Sequence, residues 1–276
     1  MEHGIEINGI GCLNLNLQKY KTMSNEKKLI EIFNTILDVF GDNGIMIISY
    51  IYATQYRNIL RTEGMNLPFL FLTGDRTTGK TEMAKTIQSA FSKKNEYVFY
   101  DLSSLKRCMT MGDKVDILDE TVRLNITKRD IEDFSDYYNI QYANIYAPNL
   151  IICSQNERLL DRLSKYIIKV RIEKSIFNEE RHRLFQYLVR ERHVISDIFT
   201  ANDREFEIHE KKFKQKLNGA FYIYRDLFKI YDMNTAYHYA NMLCIFESIP
   251  YDIKKKLILN INPIKYFRKL YVQDYK

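Results

Sequence analysis

From residue 24 onward, apolar side chains recur at helical spacing. Leu29, Ile30, Ile32, Phe33, Ile36, Leu37 and Phe40 keep to the intervals of a helix with one buried stripe. The run Gly41-Asp42-Asn43-Gly44 ends that helix, and the apolar segment 45–60 reads as a second one, closing near Gly64. Residues 1–23 show no clear period. At Leu67 the pattern changes. Leu67-Pro68-Phe69-Leu70-Phe71-Leu72-Thr73 is a short continuous apolar run, the pattern of a strand covered on both faces in a parallel sheet. Similar runs follow at 97–100, 115–118, 149–154 and 166–172, with helix-like stretches between them, notably 80–91 and 128–138. That alternation predicts five parallel strands with helices on their faces.

After Glu173 the strand pattern does not return. Residues 178–199, 206–231, 235–247 and 251–260 read as helices. The expected organisation is an N-terminal helical region over 1–66, an α/β core over 67–174 and a C-terminal helical region over 175–276. Internal repeats and low-complexity linkers are absent from the sequence.

Composition refines this in a few respects. Hydrophobic residues make up 46% of the 276, enough for a sizeable core and against global disorder. Gly (10) and Pro (4) are sparse, which favours helices over a loop-rich sandwich. The 21 Tyr and 16 Phe are read first as core residues and half-buried surface rather than base-stacking platforms. A net charge of +6 tilts mildly toward polyanionic partners. Over 251–276, seven basic residues (Lys254, Lys255, Lys256, Lys265, Arg268, Lys269 and Lys276) face only Asp252 and Asp274. A solvated terminal helix is the preferred account of them, ahead of a polyanion contact. Cys12, Cys108, Cys153 and Cys244 share no metal or disulfide spacing, so reduced thiols are expected, with Cys153 packed as a small hydrophobe. His182 and His193 lack a third ligand and read as surface residues. The sequence shows no leader pattern, and its apolar runs stay below the roughly 18 residues that span a bilayer. A cytoplasmic protein is expected.

The chemistry concentrates at Gly74-Asp75-Arg76-Thr77-Thr78-Gly79-Lys80-Thr81, which satisfies G-x-x-x-x-G-K-[ST] between a strand pattern and a helix pattern. Glycines let the chain turn so that amide N–H groups face phosphate oxygens. The following helix adds the positive end of its dipole. In such a loop Lys80 reaches the β- and γ-phosphates, and the Thr81 hydroxyl ligates Mg²⁺. ATP and Mg²⁺ are therefore the expected ligands. Further on, Val115-Asp116-Ile117-Leu118-Asp119-Glu120 ends an apolar strand in an acidic pair. Asp119 would hold the metal and Glu120 would polarise the attacking water. Asp116 interrupts the run and is expected at a polar edge. A third element, Asn149 to Asn156, carries a polar amide at a strand tip; Asn156 either senses the γ-phosphate or caps the next helix.

With these elements in order, residues 67–172 resemble the ATPase core of superfamily 3 helicases and their mobile-element relatives in the AAA+ class. The likeness rests on Gly74 to Thr81, Asp119-Glu120 and Asn156, together with the strand Tyr97-Val-Phe-Tyr-Asp101 after the P-loop helix. It implies a P-loop NTPase core of five parallel strands, assembled as a hexameric ring with nucleotide between subunits. It also implies an arginine finger in trans, for which Arg158 and Arg162 are the nearest candidates and Arg162 the preferred one. Such a finger accelerates hydrolysis by about 10³ to 10⁵. Between the acidic pair and the sensor the family carries a pore-facing hairpin. Here that interval holds Lys128, Arg129, Tyr137, Tyr138, Tyr142 and Tyr146, which either grip a DNA strand by phosphate contact and stacking or pack as a helix with a solvated face. The family's primase or origin-binding domain has no counterpart in this sequence.

The function expected on this basis is a DNA motor, helicase-like, in replication of a phage, plasmid or mobile element. Its partners would be single- or double-stranded DNA, further copies of the chain and replication proteins. A regulatory or defence-system ATPase switch acting on proteins, or a helicase loader, is the alternative. A small-molecule kinase fits less well, because an Arg-rich lid segment is absent and the acidic pair suits water activation.

Overall fold

Five runs form a single parallel sheet, of which Phe69–Thr73, Val115–Leu118 and Asn149–Ser154 are buried throughout and Val98–Phe99 and Ile167–Arg171 only in part. The computed structural model describes residues 26–55, 57–62, 66–90, 98–101, 115–119, 129, 132–136, 138, 149–155, 163–172, 178–200, 211, 213–215, 217, 222–228 and 233–273. The strands are β1 (Phe69–Thr73), β2 (Val98–Phe99), β3 (Val115–Leu118), β4 (Asn149–Ser154) and β5 (Ile167–Arg171). Their order across the sheet is β2-β3-β4-β1-β5. Leu70 pairs with Ile151 of β4 and Ile168 of β5, so β1 lies inside the sheet and β5 at its edge. All five strands run in the same direction, and their C-terminal ends, where Thr73, Ser154 and Arg171 are register partners, make one rim.

Strand alternation divides the core into two layers. Leu70, Leu72, Ile151, Cys153, Ile168 and Val170 join a large cluster on one face, while Phe69, Phe71, Leu150, Ile152 and Ile167 point to the other. The large layer is filled by helices from both ends of the chain: α1 (26–40), α2 (Asn43–Gln55), α4 (Lys80–Ser89), α7 (Met233–Glu247) and α9 (Pro263–Gln273), with α3 (Arg57–Thr62) following α2. α2 is apolar almost all round, as a helix enclosed on every side must be. Its buried hydroxyls are satisfied locally, Ser49 Oγ donating to the Ile45 carbonyl at 2.7 Å and Thr54 Oγ1 to that of Ile51 at 2.7 Å. A Cβ on Gly44 would stand 2.9 Å from the Leu37 Cα, so this glycine lets α1 and α2 approach.

On the opposite face Phe134 and Tyr138 cover the sheet. The Tyr138 ring meets Phe69 at 5.7 Å, Tyr166 at 5.1 Å and His238 at 5.8 Å between centroids. Of the two readings of that tyrosine, packing is the one the structure shows. Tyr137, Tyr142 and Tyr146 lie outside the described residues. Asp116 is buried at 4% exposure within β3 rather than at a polar edge.

Two helices depart from the periodic pattern, each because a distant side chain takes over its backbone. The segment expected as one helix over 178–199 is two, α5 (Glu179–Glu191) and α6 (His193–Thr200), with a turn at Arg192. There the Arg192 carbonyl accepts from Ser89 Oγ at 3.1 Å, while its guanidinium reaches Glu82 at 2.6 Å. The helix expected over 251–260 stops as α8 (Tyr251–Lys254). Asn34 of α1 donates to the Lys256 carbonyl at 3.1 Å and accepts from the Ile258 amide at 2.9 Å, occupying groups a longer helix would have paired internally. Helix α9 is an addition to the expected set. Its start was legible: Asn262 Oδ1 accepts from the Ile264 amide at 2.9 Å, and Pro263 sits at the first helical position.

The basic C-terminal stretch is partly neutralised. Lys254 pairs with Glu247 at 2.6 Å, Lys255 with Asp252 at 2.8 Å and Lys256 with Glu26 at 2.9 Å. His182 and His193 are exposed. Among the described residues, no helix is long and apolar enough to cross a membrane.

Candidate nucleotide site

Gly74 to Gly79 form the loop that joins the buried β1 to the N-terminus of α4, and Lys80 and Thr81 open the helix. The loop's shape is written in its dihedrals. Gly74 has φ 143°, Gly79 φ 86° and Thr77 φ 64°. At Gly74 glycine is obligatory: a Cβ would meet the Ile172 carbonyl oxygen at 2.2 Å. That contact exists because β5 continues the sheet alongside, with the Ile172 amide donating to the Thr73 carbonyl at 2.7 Å. Thr78 Oγ1 closes the loop from within by donating to the Asp75 carbonyl at 2.9 Å.

Lys80 folds over this loop. Its ammonium donates to the carbonyls of Gly74 at 2.8 Å and Asp75 at 2.5 Å. Burial holds Lys80 below the ordinary lysine range, offset in part by Cys153, Asp119 and Asp75. Asp119, one residue beyond β3, is buried at 7% exposure, and its amide donates to the Phe99 carbonyl at 2.8 Å. Thr81 Oγ1 donates to Asp119 Oδ2 at 2.6 Å. The hydroxyl and the carboxylate that the sequence pattern assigned to a metal are therefore adjacent, one on the P-loop helix and the other at the tip of β3.

These groups surround a cavity of about 480 Å³, lined on the loop side by Arg76 to Glu82 and on the sheet side by Asp119, Cys153, Ser154 and Gln155. This volume lies in the usual range for small-molecule sites, roughly 300–1,000 Å³. β4 carries Cys153 and Ser154 into the site because it lies between β1 and β3. The Cys153 thiol is pushed well up by burial and by Asp119, with Lys80 opposing, so it remains a neutral wall group. Phe185 of α5 lines the cavity as well. Glu82 is held by Arg192 at 2.6 Å and by Lys85 at 3.3 Å.

Glu120, Asn156, Arg158, Arg162 and Lys128 lie outside the described residues; Arg129 is an exposed helical residue that does not line this cavity. Sequence reasoning did not assign Glu82, Cys153, Ser154 or Phe185 to the site. The first follows Thr81 directly and the next two precede the expected sensor, so proximity in sequence could have found them. Phe185 arrives from a separate helix and left no local sign.

The sheet order and the glycine-rich loop at its C-terminal rim define an α/β fold of the P-loop NTPase kind. Neither a protein-family model nor a curated protein matches the sequence. One solved structure with this fold is the SCCmec type IV Cch protein, described as an active helicase. It superposes with a TM-score of 0.58 at 14% identity, over 88% of this chain and 50% of that one. The chain thus spans about half the length of that neighbour, and the likeness is one of fold.

Proposed function

We propose that this chain is an ATP-hydrolysing motor of the superfamily 3-like, AAA+ kind that acts on DNA. The single observation that carries the reading is the 2.6 Å contact of Thr81 with Asp119, at the end of a loop whose first glycine has no room for a Cβ. The residues present fit a magnesium–triphosphate group: a hydroxyl and a carboxylate for the cation, an ammonium and a helix N-terminus for the phosphates. Thr81 and Asp119 would hold Mg²⁺, which when bound neutralises charge on the phosphate oxygens. Lys80 would exchange the Gly74 and Asp75 carbonyls for phosphate oxygens. Glu120 is assigned to orient the attacking water, Asn156 to sense the γ-phosphate, and Arg162 of a neighbouring copy to stabilise charge at transfer.

The wider reading is a P-loop core over 67–174 flanked by helical regions. It works as an oligomeric, hexameric ring on single-stranded DNA, with Lys128 and Arg129 toward the strand, in replication of a phage, plasmid or mobile element. The helicase neighbour supports it at the level of fold. The test is ATP hydrolysis by wild type and Glu120→Gln, with and without single-stranded DNA. Stimulation by DNA that disappears in Glu120→Gln is the expected result. Hydrolysis indifferent to DNA would replace the motor by a nucleotide switch acting on protein partners.

A further inference from the structure

The nucleotide cavity has two sides, and helix α4 points one residue at each. Successive residues of a helix diverge by about 100° around its axis. Thr81 faces the tip of β3, where its hydroxyl meets Asp119 at 2.6 Å, and Glu82 faces the α5–α6 turn, where its carboxylate meets Arg192 at 2.6 Å. The sheet repeats this polarity. Asp119 follows β3, on one side of β1 in the order β2-β3-β4-β1-β5, whereas Phe185 reaches the cavity from α5, on the other side. The Phe185 ring meets Phe40 edge to face at 6.3 Å, and Phe40 borders a hollow beside Lys169 and Arg171 of the edge strand β5.

Phe185 is the only aromatic among the described residues that line the nucleotide cavity. The other described walls are the P-loop, the carboxylates of Glu82 and Asp119, and the tip of β4. Leu188, one turn further along α5, is fully buried and lines no part of the cavity. Core packing accounts for Leu188, but it leaves unexplained why an aromatic ring borders a hollow built otherwise for phosphates. Apolar surface beside water is covered favourably by another flat apolar group, and every nucleobase has such a face. The contact with Phe40 restricts the ring, so little side-chain freedom is lost when a ligand settles on it.

We infer that Phe185 is the platform on which the base of the bound nucleotide stacks. This deepens the nucleotide reading and rests on it. Thr81 and Asp119 mark the phosphate end of the cavity, so the nucleoside leaves the P-loop past Glu82, toward α5. One ligand then bridges the P-loop, which takes its phosphates, and α5, which takes its base.

Magnesium ADP and ribose 5-diphosphate, which differ by the base alone, are titrated by calorimetry into the full chain. Wild type is expected to bind ADP about tenfold or more tightly than ribose 5-diphosphate. Phe185→Leu keeps an apolar side chain without a π-face. It is expected to close most of that gap by weakening ADP alone, with a melting curve recorded without ligand to show that it is folded. Phe185→Trp keeps the platform and introduces a single tryptophan into a chain that has none. Its fluorescence is expected to be quenched by ADP and unmoved by ribose 5-diphosphate. If Phe185→Leu does not fold, the wild-type comparison and the tryptophan signal decide. Equal affinity of wild type for the two ligands overturns the inference. So does a Phe185→Leu protein that weakens both ligands alike or keeps the full advantage of ADP, or a tryptophan indifferent to the base. Those outcomes leave the P-loop reading standing, because ribose 5-diphosphate still binds. Failure of wild type to bind either ligand removes that reading and the inference together.

Discussion

Thr81 and Asp119 stand 38 positions apart in the chain, and their side chains meet in a 2.6 Å hydrogen bond at the rim of the sheet. The contact needs β4 between β1 and β3, because that spacing sets the helix start opposite the tip of β3. Asp119→Asn keeps the shape and removes the charge. Its ATP hydrolysis, read as phosphate release, is expected to fall by about 10² or more, with the melting temperature nearly unchanged. Wild-type turnover in Asp119→Asn would remove this carboxylate from the metal site.

Gly74→Ala tests the loop against its neighbour strand. The added methyl group would collide with the Ile172 carbonyl at a φ that L-residues rarely adopt. Strain and overpacking together cost about 2–5 kcal/mol, a fall in melting temperature on the order of 5–15 °C. Gly41→Ala is the control. It also has positive φ, 58°, but nothing lies within 4 Å of the new Cβ, so it should cost only about 1 kcal/mol.

Alkaline pH should destabilise the protein from about 9 upward. Burial raises the thiols of Cys153 and Cys244 above their ordinary value of 9.0 and the Tyr50 phenol above 10.0. Each remains protonated in the folded state, whereas the unfolded chain releases its proton at the ordinary value. The unfolded state therefore binds fewer protons there, and stability is complete below those values and falls above them, by up to about 1.4 kcal/mol per pH unit per group. Lys80, whose value is lowered, opposes this weakly below 10.5. Thermal melts from pH 7 to 10.5 should show the decline. Cys244→Ala should flatten it, and equal slopes in the two proteins would refute the assignment to that thiol.

Arg192 and Glu82 hold the α5–α6 turn against the P-loop helix, with side-chain exposures of 13% and 31%. A double-mutant cycle between Arg192→Ala and Glu82→Gln, followed by denaturant unfolding, should return a coupling of about 1 kcal/mol. Because Glu82 lines the nucleotide cavity, Arg192→Ala should also weaken nucleotide binding several-fold. A coupling near zero would make the pair incidental.

Much of this architecture was already legible in local patterns. A strand enclosed on both faces is continuously apolar, so the Phe69 to Thr73 run stood out. The glycines at 74 and 79 marked a turn that other residues resist, and they placed the loop between strand and helix. Periodicity reports which positions are buried, but not what lies against them. Hence the order β2-β3-β4-β1-β5 and the arrival of Phe185 at the nucleotide cavity were decided by tertiary packing. The same holds where helices end. Ser89 and Glu82 engage Arg192, and Asn34 takes the backbone of Lys256 and Ile258, so partners far away in sequence decided where the local pattern stops.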